Sequence, residues 1–499
     1  MFSEVNAAVL DRLLTRKDSK APVIRDFWKF LMICFQTPRP STNYDGVVNE
    51  ARGIPFQNAM RGVCADHGLR YLMDQVGNII IKNFLEDGPK ARFCFQGHSD
   101  VVVSKNESAV HNFETDGVDI QITTDGTVKP VKGTTLGADN GVAIACGLAI
   151  LVNNKNVPLE LLITKNEETS FDGACGLDAS LISANTILNL DSEVEKAICV
   201  GSAGGFEQRF YLPIEPDNAC TLLQFRVSLK DLKGGHSGID IENEKSNAIM
   251  ELIRILFDRN IRIMDIKGGT STNAIPREAS AVIACPEDAL AGIYKSFQDL
   301  QSEVVINEPS MRLVVEKFES KGKLIPTSEG FSQRLKALIL SVGTGVVRKL
   351  KGNVECSFNL GLVSTETNRV SIRYLVRSTS VSWMQFFAKQ LTMTGEMYEA
   401  EVEAFLGFFG AWEPQYDSRI LQDLLKHHPD ATANVKTYTV HAGLECSTIL
   451  ERFTDIGRTN VECASIGPQI EHAHSPDECL YIESAVEFVH WVNNLVKGA

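Results

Sequence analysis

Two histidines and three acidic residues, spread over most of the chain, are the side chains best suited to chemistry in this sequence. They are His98, Asp139, Glu168, Asp191 and His474. Imidazoles and carboxylates are the ligands that a pair of divalent metal ions requires, with one carboxylate bridging the two ions. If these five side chains converge in the fold, the protein is a metal-dependent hydrolase.

Each candidate ligand also has a simpler structural explanation. His98 could be a loop histidine beside a surface Asp100, and Asp139 precedes an apolar stretch, where an aspartate commonly caps a helix. Glu167 and Glu168 could be two solvated glutamates of one loop. Adjacent carboxylates repel, however, so a site that holds both needs a cation or a shifted pKa. One of the pair could bind metal while the other acts as a general base.

The position of these residues relative to predicted strands favours a common site. Apolar runs at 79–81, 93–96, 161–164 and 186–190 predict buried strands, and 141–152 predicts a buried helix. This alternation indicates an α/β fold with a mostly parallel sheet and helices on both faces. His98, Glu168 and Asp191 each follow one of the strands. Ligands of such sheets collect at the carboxyl ends of the strands.

The domain order follows from the position of the last candidate. After 201–205, a glycine-rich segment, the pattern changes to that of a mixed α+β domain. His474 lies far beyond it, and spacing alone does not distinguish His474 from His472. If His474 joins the early ligands, the catalytic domain is discontinuous. We predict catalytic segments at 1–205 and 398–499, with an inserted lid domain at 206–397.

Composition and charge restrict the class of partner and the compartment. The 499 residues carry a formal net charge of -14, which argues against nucleic acid or an anionic membrane as a partner. The twelve cysteines lie mostly in apolar settings, as in a reducing cytosol. The first 20 residues lack a signal-peptide core, and the apolar run at 27–35 is too short to cross a bilayer. We therefore predict a soluble cytoplasmic protein.

Further candidates lie outside the five ligands. His236 stands in a glycine-rich loop, where it could reach a substrate carbonyl oxygen. Asn273 and Arg277 offer amide and guanidinium donors. Glu445 follows a glycine turn and could receive an ammonium group. A turn histidine and a surface arginine are the simpler explanations of His236 and Arg277.

Taken together and in this order, the motifs resemble one known family. The chain resembles the dinuclear-zinc peptidase family that includes carnosinases, aminoacylases and glutamate carboxypeptidases. The resemblance extends over essentially the whole chain and rests on the segments at 98–100, 137–141, 167–168, 189–193, 234–238, 273–278, 441–446 and 474–478.

The resemblance implies a role for each residue of the site. His98, Asp139 and Asp191 would hold one metal ion, and Asp139, Glu168 and His474 the other, with Asp139 bridging. Asp100 would orient His98, Glu167 would be the general base, and the Asp139–Asn140 peptide would be cis. The cofactors would be two divalent ions per subunit, most readily zinc, although manganese or cobalt suits such ligands nearly as well.

The resemblance also implies a substrate and an assembly. We expect hydrolysis of unblocked dipeptides, Xaa-His among them, by a homodimer formed through the lid. His236 would stabilise the oxyanion in its own or its partner's site, and Asn273 and Arg377 would receive the substrate carboxylate. An aminoacylase or carboxypeptidase of the same family is the alternative. The complete ligand set and the intact Glu167 argue against a non-catalytic binding protein, and the missing phosphate loop argues against a nucleotide enzyme.

Overall fold

The chain forms two compact units. The computed structural model describes residues 3–85, 90–319, 324 and 326–498. The first unit comprises Met1–Gly201, Pro414–Tyr438 and Glu445–Ala499, and the second comprises Ser202–Glu413 and Thr439–Leu444. The second unit is therefore an insertion in the first, which is discontinuous in sequence.

The helices and strands are numbered in chain order. The α-helices are α1 Glu4–Leu14, α2 Pro22–Gln36, α3 Ile54–His67, α4 Ala138–Asn153, α5 Asp172–Cys175, α6 Ala248–Ile255, α7 Ala289–Val304, α8 Glu329–Val342, α9 Val381–Met397, α10 Arg419–His427, α11 Glu445–Asp455 and α12 Ile482–Gly498. Short 3-10 helices span Lys17–Lys20, Glu50–Gly53 and Ala179–Leu181. The strands are β1 Arg70–Met73, β2 Ile79–Lys82, β3 Phe93–His98, β4 Ile120–Ile122, β5 Thr127–Pro130, β6 Leu159–Thr164, β7 Thr186–Asn189, β8 Ala197–Ser202, β9 Gly204–Pro213, β10 Leu223–Lys230, β11 Gly235–His236, β12 Arg262–Gly268, β13 Ala274–Ile275, β14 Ala279–Cys285, β15 Arg312–Lys317, β16 Gly345–Leu350, β17 Asn353–Thr365, β18 Arg369–Ser378, β19 Glu401–Phe409, β20 Lys436–Val440, β21 Glu462–Ser465, β22 Ile470–Glu471 and β23 Cys479–Tyr481.

An eight-stranded sheet forms the centre of the first unit, in the order β1-β2-β6-β3-β7-β21-β8-β20. Its central strands are parallel: β3 pairs with β6 and β7, and β7 pairs with β21. The pairs β1–β2 and β2–β6 are antiparallel. The pair β21–β8 is antiparallel as well. The predicted α/β fold is confirmed, but the sheet is mixed rather than mostly parallel, because antiparallel strands flank its parallel centre. Because β3, β6 and β7 are parallel, the loops that follow them lie at one edge of the sheet.

Helix α4 packs against this sheet and is buried on every side, as its continuous apolar sequence predicts. Helix α2 packs against α4. It begins at Pro22, where the missing N–H of proline costs no helical hydrogen bond, and it ends before Pro38. The first residues of α4 are irregular, because Asp139 and Asn140 have non-helical backbone angles. The Asp139–Asn140 peptide is cis, as the resemblance implies.

A nine-stranded sheet dominates the second unit, in the order β15-β10-β14-β12-β17-β18-β9-β19, with β16 beside β17. Helices α6, α8 and α9 pack on it and share its apolar core. Strand β19 pairs with β9 and so belongs to this unit. The predicted end of the insertion at residue 397 therefore differs from the observed end at Glu413, because the chain adds one more strand before it leaves the sheet.

Among the helices that the structure describes, none combines the length and the apolar character needed to cross a membrane. All twelve cysteines are free thiols.

Gly97 marks the closest approach of β3 to the first turn of α4. A methyl group built on Gly97 would overlap the side chains of Asn140 and Ala143. Asn140 is held in place by two hydrogen bonds, since its Oδ1 accepts the N–H of His98 at 3.2 Å and its Nδ2 donates to the carbonyl of Leu190 at 3.1 Å. The absence of a side chain at Gly97 therefore allows α4 to begin directly beside His98.

We expect Gly97→Ala to destabilise the protein, because the added methyl group overpacks this contact at a cost of about 1–3 kcal/mol. Gly62→Ala is the matched control: Gly62 is an exposed position inside α3 with open space around it. Alanine there should stabilise the helix by about 0.5–1 kcal/mol. Urea unfolding followed by circular dichroism measures both changes, and equal stabilities of the two variants would contradict this description of the contact.

Candidate metal centre

The structure brings all five predicted ligands together in the first unit. His98 ends β3, and its Nε2 lies 2.9 Å from Oδ1 of Asp139 and 3.4 Å from Oδ1 of Asp191. The Nε2 of His474 lies 3.1 Å from Oδ2 of Asp139 and 3.0 Å from Oε2 of Glu168. The two oxygens of Asp139 thus face two different imidazoles. This is the grouping that the resemblance implies, in which Asp139 would be shared between two sets of three ligands.

The donor set fits divalent cations. Ligand atoms of His98, Asp139 and Glu168 all lie within 4.8 Å of one another. The second carboxylate oxygen of Glu168 is buried without a hydrogen-bond partner among the described residues. A buried carboxylate oxygen with no donor is costly, and a metal ion compensates for that cost. The mixture of imidazole nitrogen and carboxylate oxygen suits zinc, manganese or cobalt.

The charges of the centre shift the pKa values of its members strongly. Burial acts to raise the pKa of Asp139, but hydrogen bonds from His474 and His98 outweigh it and hold that pKa well below its ordinary value. The hydrogen bonds of His474 to Asp139 and Glu168 raise the pKa of its imidazole to about 11. Burial raises the pKa of Asp191. The centre is thus a place where positive charge is strongly stabilised.

Asp100 acts mainly on the backbone of the glutamate pair. Its carboxylate accepts the hydroxyl of Ser41 at 2.7 Å and the N–H groups of Glu167 at 3.1 Å and Glu168 at 3.4 Å. For His98, the backbone carbonyl of Asp100 is the nearer acceptor, at 3.0 Å from Nδ1, whereas the carboxylate lies 3.7 Å away. Asp100 therefore orients His98 chiefly through its carbonyl and fixes the glutamate turn through its side chain.

The turn at Asn166 separates the two glutamates from the end of β6. Asn166 adopts a left-handed conformation with a φ of 55°. Its Oδ1 accepts the N–H of Thr42 at 2.8 Å, which fixes the turn. Burial raises the pKa of Glu167 well above its ordinary value, and the charges of Asp191 and Glu168 add to the effect. A carboxylate with a raised pKa is a stronger base, as proton transfer near neutral pH requires.

Glu445 begins α11 and lies in a buried polar network with Gln96 and Thr164. Its Oε2 accepts hydrogen bonds from Nε2 of Gln96 at 2.7 Å and from the hydroxyl of Thr164 at 2.6 Å. Its Oε1 is buried without a partner among the described residues, and the residue is only 1% exposed. Burial raises its pKa to about 8, and its charge in turn raises the pKa of Glu167. One carboxylate oxygen of Glu445 is therefore free to accept a donor.

The remaining candidate residues, His236, Asn273 and Arg377, lie in the second unit. The Nδ1 of His236 accepts the N–H groups of Gly238 at 3.2 Å and Ile239 at 3.1 Å, so neutral His236 carries its proton on Nε2. Burial and the charge of Arg377 lower the pKa of His236. The backbone carbonyl of Asn273 accepts the N–H of Ser237 at 2.8 Å. This bond joins the glycine-rich segment 234–238 to the segment 273–278.

Arg377 is buried without a carboxylate beside it among the described residues. It is 5% exposed, its Nη2 lies 3.5 Å from the hydroxyl of Ser237, and its Nε has no acceptor. Burial lowers its pKa to about 10. A guanidinium with free donors is suited to a planar carboxylate. Arg277, in contrast, is exposed and donates to the carbonyl of Leu232.

Sequence reasoning missed three residues that support the centre: Arg39, Gln96 and Glu478. All three are buried polar residues. The signal for Gln96 is its place in an otherwise apolar strand, β3. Glu478 closes the segment that begins at His474, and its acidic side chain precedes the apolar pair Cys479-Leu480. For Arg39, between two prolines, the sequence holds no such signal.

Comparison with known proteins finds dipeptidases. Residues 227–305 match a family model described as a peptidase dimerisation domain. The chain is 34% identical over 456 residues to the cytosol non-specific dipeptidase of Escherichia coli strain K12, covering 87% of this chain and 91% of that protein. The crystal structure of aminoacylhistidine dipeptidase from Vibrio alginolyticus matches with a TM-score of 0.82 and 29% identity, over 98% of this chain and 99% of that one. A tripeptidase from Staphylococcus aureus, at 13% identity and a TM-score of 0.52 over 95% of this chain and 97% of that one, shares the fold alone.

The two neighbouring histidines provide a direct test of the centre. We expect His474→Ala to reduce bound metal from about two ions per chain to about one, since it removes a ligand from one of the two sets. His472→Ala should retain both ions, because it is His474 whose imidazole lies beside the carboxylates of Asp139 and Glu168. Elemental analysis of the dialysed variants measures this difference, and the same metal content in both variants would exclude His474 as a ligand.

Proposed function

Because the chain belongs to the M20 family of peptidases, we propose that it hydrolyses the peptide bond of unblocked dipeptides, Xaa-His dipeptides among them, in a metal-dependent reaction. The observation that carries the proposal is the position of Asp139 between His98 and His474, with Glu167 in the adjoining turn. The relatives named as a non-specific dipeptidase and an aminoacylhistidine dipeptidase support this choice of substrate.

His98, Asp139, Asp191, Glu168 and His474 would hold two divalent ions, which would supply Lewis-acid activation of a water molecule and of the scissile carbonyl. Glu167 accepts a proton from the attacking water as the oxygen of that water bonds to the carbonyl carbon. When the carbon–nitrogen bond breaks, Glu167 gives the proton to the leaving nitrogen, which departs as an amine. The raised pKa of Glu167 suits both halves of this transfer.

His236 is proposed to stabilise the oxyanion of the tetrahedral intermediate. Its Nδ1 is occupied by two backbone N–H groups, so its Nε2–H is the donor available to a ligand. The lowered pKa favours the neutral ring, and the two hydrogen bonds to Nδ1 place its proton on Nε2. A preorganised donor of this kind is worth roughly 10²–10³ in rate when it meets developing negative charge.

The two ends of the substrate are proposed to meet opposite charges. Arg377 receives the carboxylate of the dipeptide together with Asn273; both residues bind Ser237. The support for this role is the buried guanidinium of Arg377, whose Nε has no acceptor among the described residues. Glu445 receives the free ammonium group through its unpaired Oε1. Recognition of both ends would confine the enzyme to short unblocked peptides.

We further propose zinc as the native metal, with manganese or cobalt as substitutes, and the cytoplasm as the compartment. Mixed histidine and carboxylate ligands support the choice of metal. The compartment is supported by twelve free cysteines and by the cytosolic relative from Escherichia coli.

A homodimer formed through the second unit is proposed as the assembly. The match of residues 227–305 to a peptidase dimerisation domain supports it. Helix α9 of the same unit also displays Phe386, Met393 and Met397, which are 53%, 65% and 78% exposed. Their spacing puts them on one face of the helix, and contiguous exposed apolar surface of this kind is typical of interfaces.

Glu167→Gln tests the general base. The variant should lose hydrolysis by about 10²–10⁴-fold, because the amide cannot accept the proton of the attacking water. Its metal content should equal that of the wild type, since the metal ligands remain. Glu107→Gln, an exposed glutamate, is the matched control and should keep full activity. Hydrolysis of a dipeptide by Glu167→Gln at the wild-type rate would refute the assignment.

A substrate panel with Glu445→Gln separates a dipeptidase from an aminoacylase or carboxypeptidase. The wild type should cleave unblocked Xaa-His dipeptides and leave N-acetyl amino acids and N-blocked dipeptides largely intact. Glu445→Gln should raise KM for unblocked dipeptides by about tenfold, because a hydrogen bond to a charged group is worth about 1.5–3 kcal/mol. If the wild type cleaves the blocked substrates faster than the unblocked dipeptides, an aminoacylase or carboxypeptidase activity is favoured instead.

A further inference from the structure

Glu478 holds the backbone that leads to Asp139. Its side chain is buried, with the residue only 1% exposed. Oε2 accepts the N–H groups of Leu136 at 2.7 Å and Gly137 at 3.0 Å, and Oε1 accepts the N–H of Asp139 at 3.2 Å. The two oxygens of this carboxylate thus bind three backbone N–H groups in the four-residue segment 136–139. Glu478 itself lies only four residues beyond His474, so it also ties the segment of His474 to that of Asp139.

Arg39 holds the same backbone from the opposite direction. It is 4% exposed, and its donors meet only carbonyl oxygens. Nη1 donates to Ser99 at 2.9 Å and Asp100 at 3.3 Å, Nη2 donates to Gly137, and Nε donates to Cys34 at 3.3 Å. The guanidinium therefore links the segment after His98 to the segment before Asp139.

Glu478 and Arg39 both bind the backbone of Gly137. Its N–H donates to Glu478 and its carbonyl accepts from Arg39. It adopts a left-handed conformation with a φ of 78°, and a Cβ at this position would lie 2.8 Å from Nη2 of Arg39. The N–H of Gly137 thus meets a carboxylate and its carbonyl meets a guanidinium, so each backbone group has a side-chain partner of matching polarity. Each charge also needs these bonds, because a buried charge without them is costly.

We propose that Glu478 and Arg39 are positioning residues of the metal centre, which hold the segments of His98, Asp139 and His474 at the separation that lets one carboxylate serve two metal ions. Neither residue is a ligand. Their effect passes through the backbone to Asp139, and partners beyond the ligands commonly change metal affinity by about 10–100-fold. The proposal rests on the metal centre and is independent of the substrate.

The substitution Glu478→Gln is the sharpest perturbation. It keeps the shape of the side chain but replaces one carboxylate oxygen by an NH₂ group. Whichever way the amide is turned, that NH₂ faces backbone N–H groups: those of Leu136 and Gly137, or that of Asp139. At least one of the three hydrogen bonds is lost, and the donor groups repel each other. We expect the Asp139 carboxylate to move relative to the two histidines.

Glu160→Gln is the matched control. Glu160 is also fully buried, and it accepts the N–H groups of Ser183 and Ala184, each at 3.0 Å, together with Lys82 at 2.8 Å. It lies near the start of β6, whereas the metal centre adjoins the carboxyl end of the sheet. The substitution should lower thermal stability without altering the metal ligands.

The test uses cobalt as the probe in the full-length protein. Titration of metal-free protein with Co²⁺ gives the affinity of each site, and the visible absorption of bound Co²⁺ reports ligand geometry. Glu478→Gln should bind Co²⁺ about 10–100-fold more weakly and with an altered spectrum. Arg39→Lys, which keeps the charge but cannot reach all the carbonyls, should show the same change in a second variant. Glu160→Gln should bind Co²⁺ like the wild type.

Wild-type affinity and spectrum in Glu478→Gln and in Arg39→Lys would overturn the proposal. So would an equal loss of affinity in Glu160→Gln, because the loss would then follow general destabilisation. If Glu478→Gln fails to fold, Arg39→Lys decides alone. A wild-type protein that binds cobalt but cleaves no dipeptide would refute the proposed substrate and leave this inference standing.

Discussion

The carboxylate of Asp139 has to lie between two imidazoles, and the rest of the site is arranged around that requirement. One oxygen faces His98, 41 residues away in sequence, and the other faces His474, 335 residues away. A buried carboxylate is tolerated only where it is paired and hydrogen-bonded, because its desolvation costs several kcal/mol. Asp139 meets this condition through two histidines that come from distant parts of the chain.

The fold satisfies the requirement with a parallel sheet and a returning C-terminal segment. Strands β3, β6 and β7 end at one edge, so the residues that follow them, from His98 to Asp191, reach a common place. Helix α4 begins there, because Gly97 allows it to approach β3 closely. The segment between β22 and β23 then carries His474 to the same edge, where its left-handed φ of 63° suits a sharp turn.

Local patterns allowed much of this fold to be predicted. Buried strands appear as apolar runs, α4 as a longer one, and an acidic or histidine side chain directly after a strand marks the active edge. The end of the insertion was harder to place, because β19 is fixed by pairing with β9, about two hundred residues earlier, and such pairing leaves no local signature. The choice of His474 over His472 came from the family resemblance, and in the structure the imidazole of His474 contacts Asp139 and Glu168.

Residues that act through the backbone leave little signal in the sequence. Arg39 donates only to carbonyl oxygens, which every residue possesses, so no pairing of side-chain types marks its role. Glu478 accepts only backbone N–H groups for the same reason. Asp100 has two roles that residue spacing could not indicate. Its backbone carbonyl binds the imidazole of His98, and its carboxylate accepts the N–H of Glu167.

X-ray diffraction from crystals grown with zinc, recorded on both sides of the zinc absorption edge, tests the shared carboxylate most directly. We predict two anomalous peaks per chain, one beside each oxygen of Asp139, with His98 and Asp191 at the first and Glu168 and His474 at the second. A single peak, or two peaks of which only one contacts Asp139, would contradict the bridging role from which the site and its chemistry are derived.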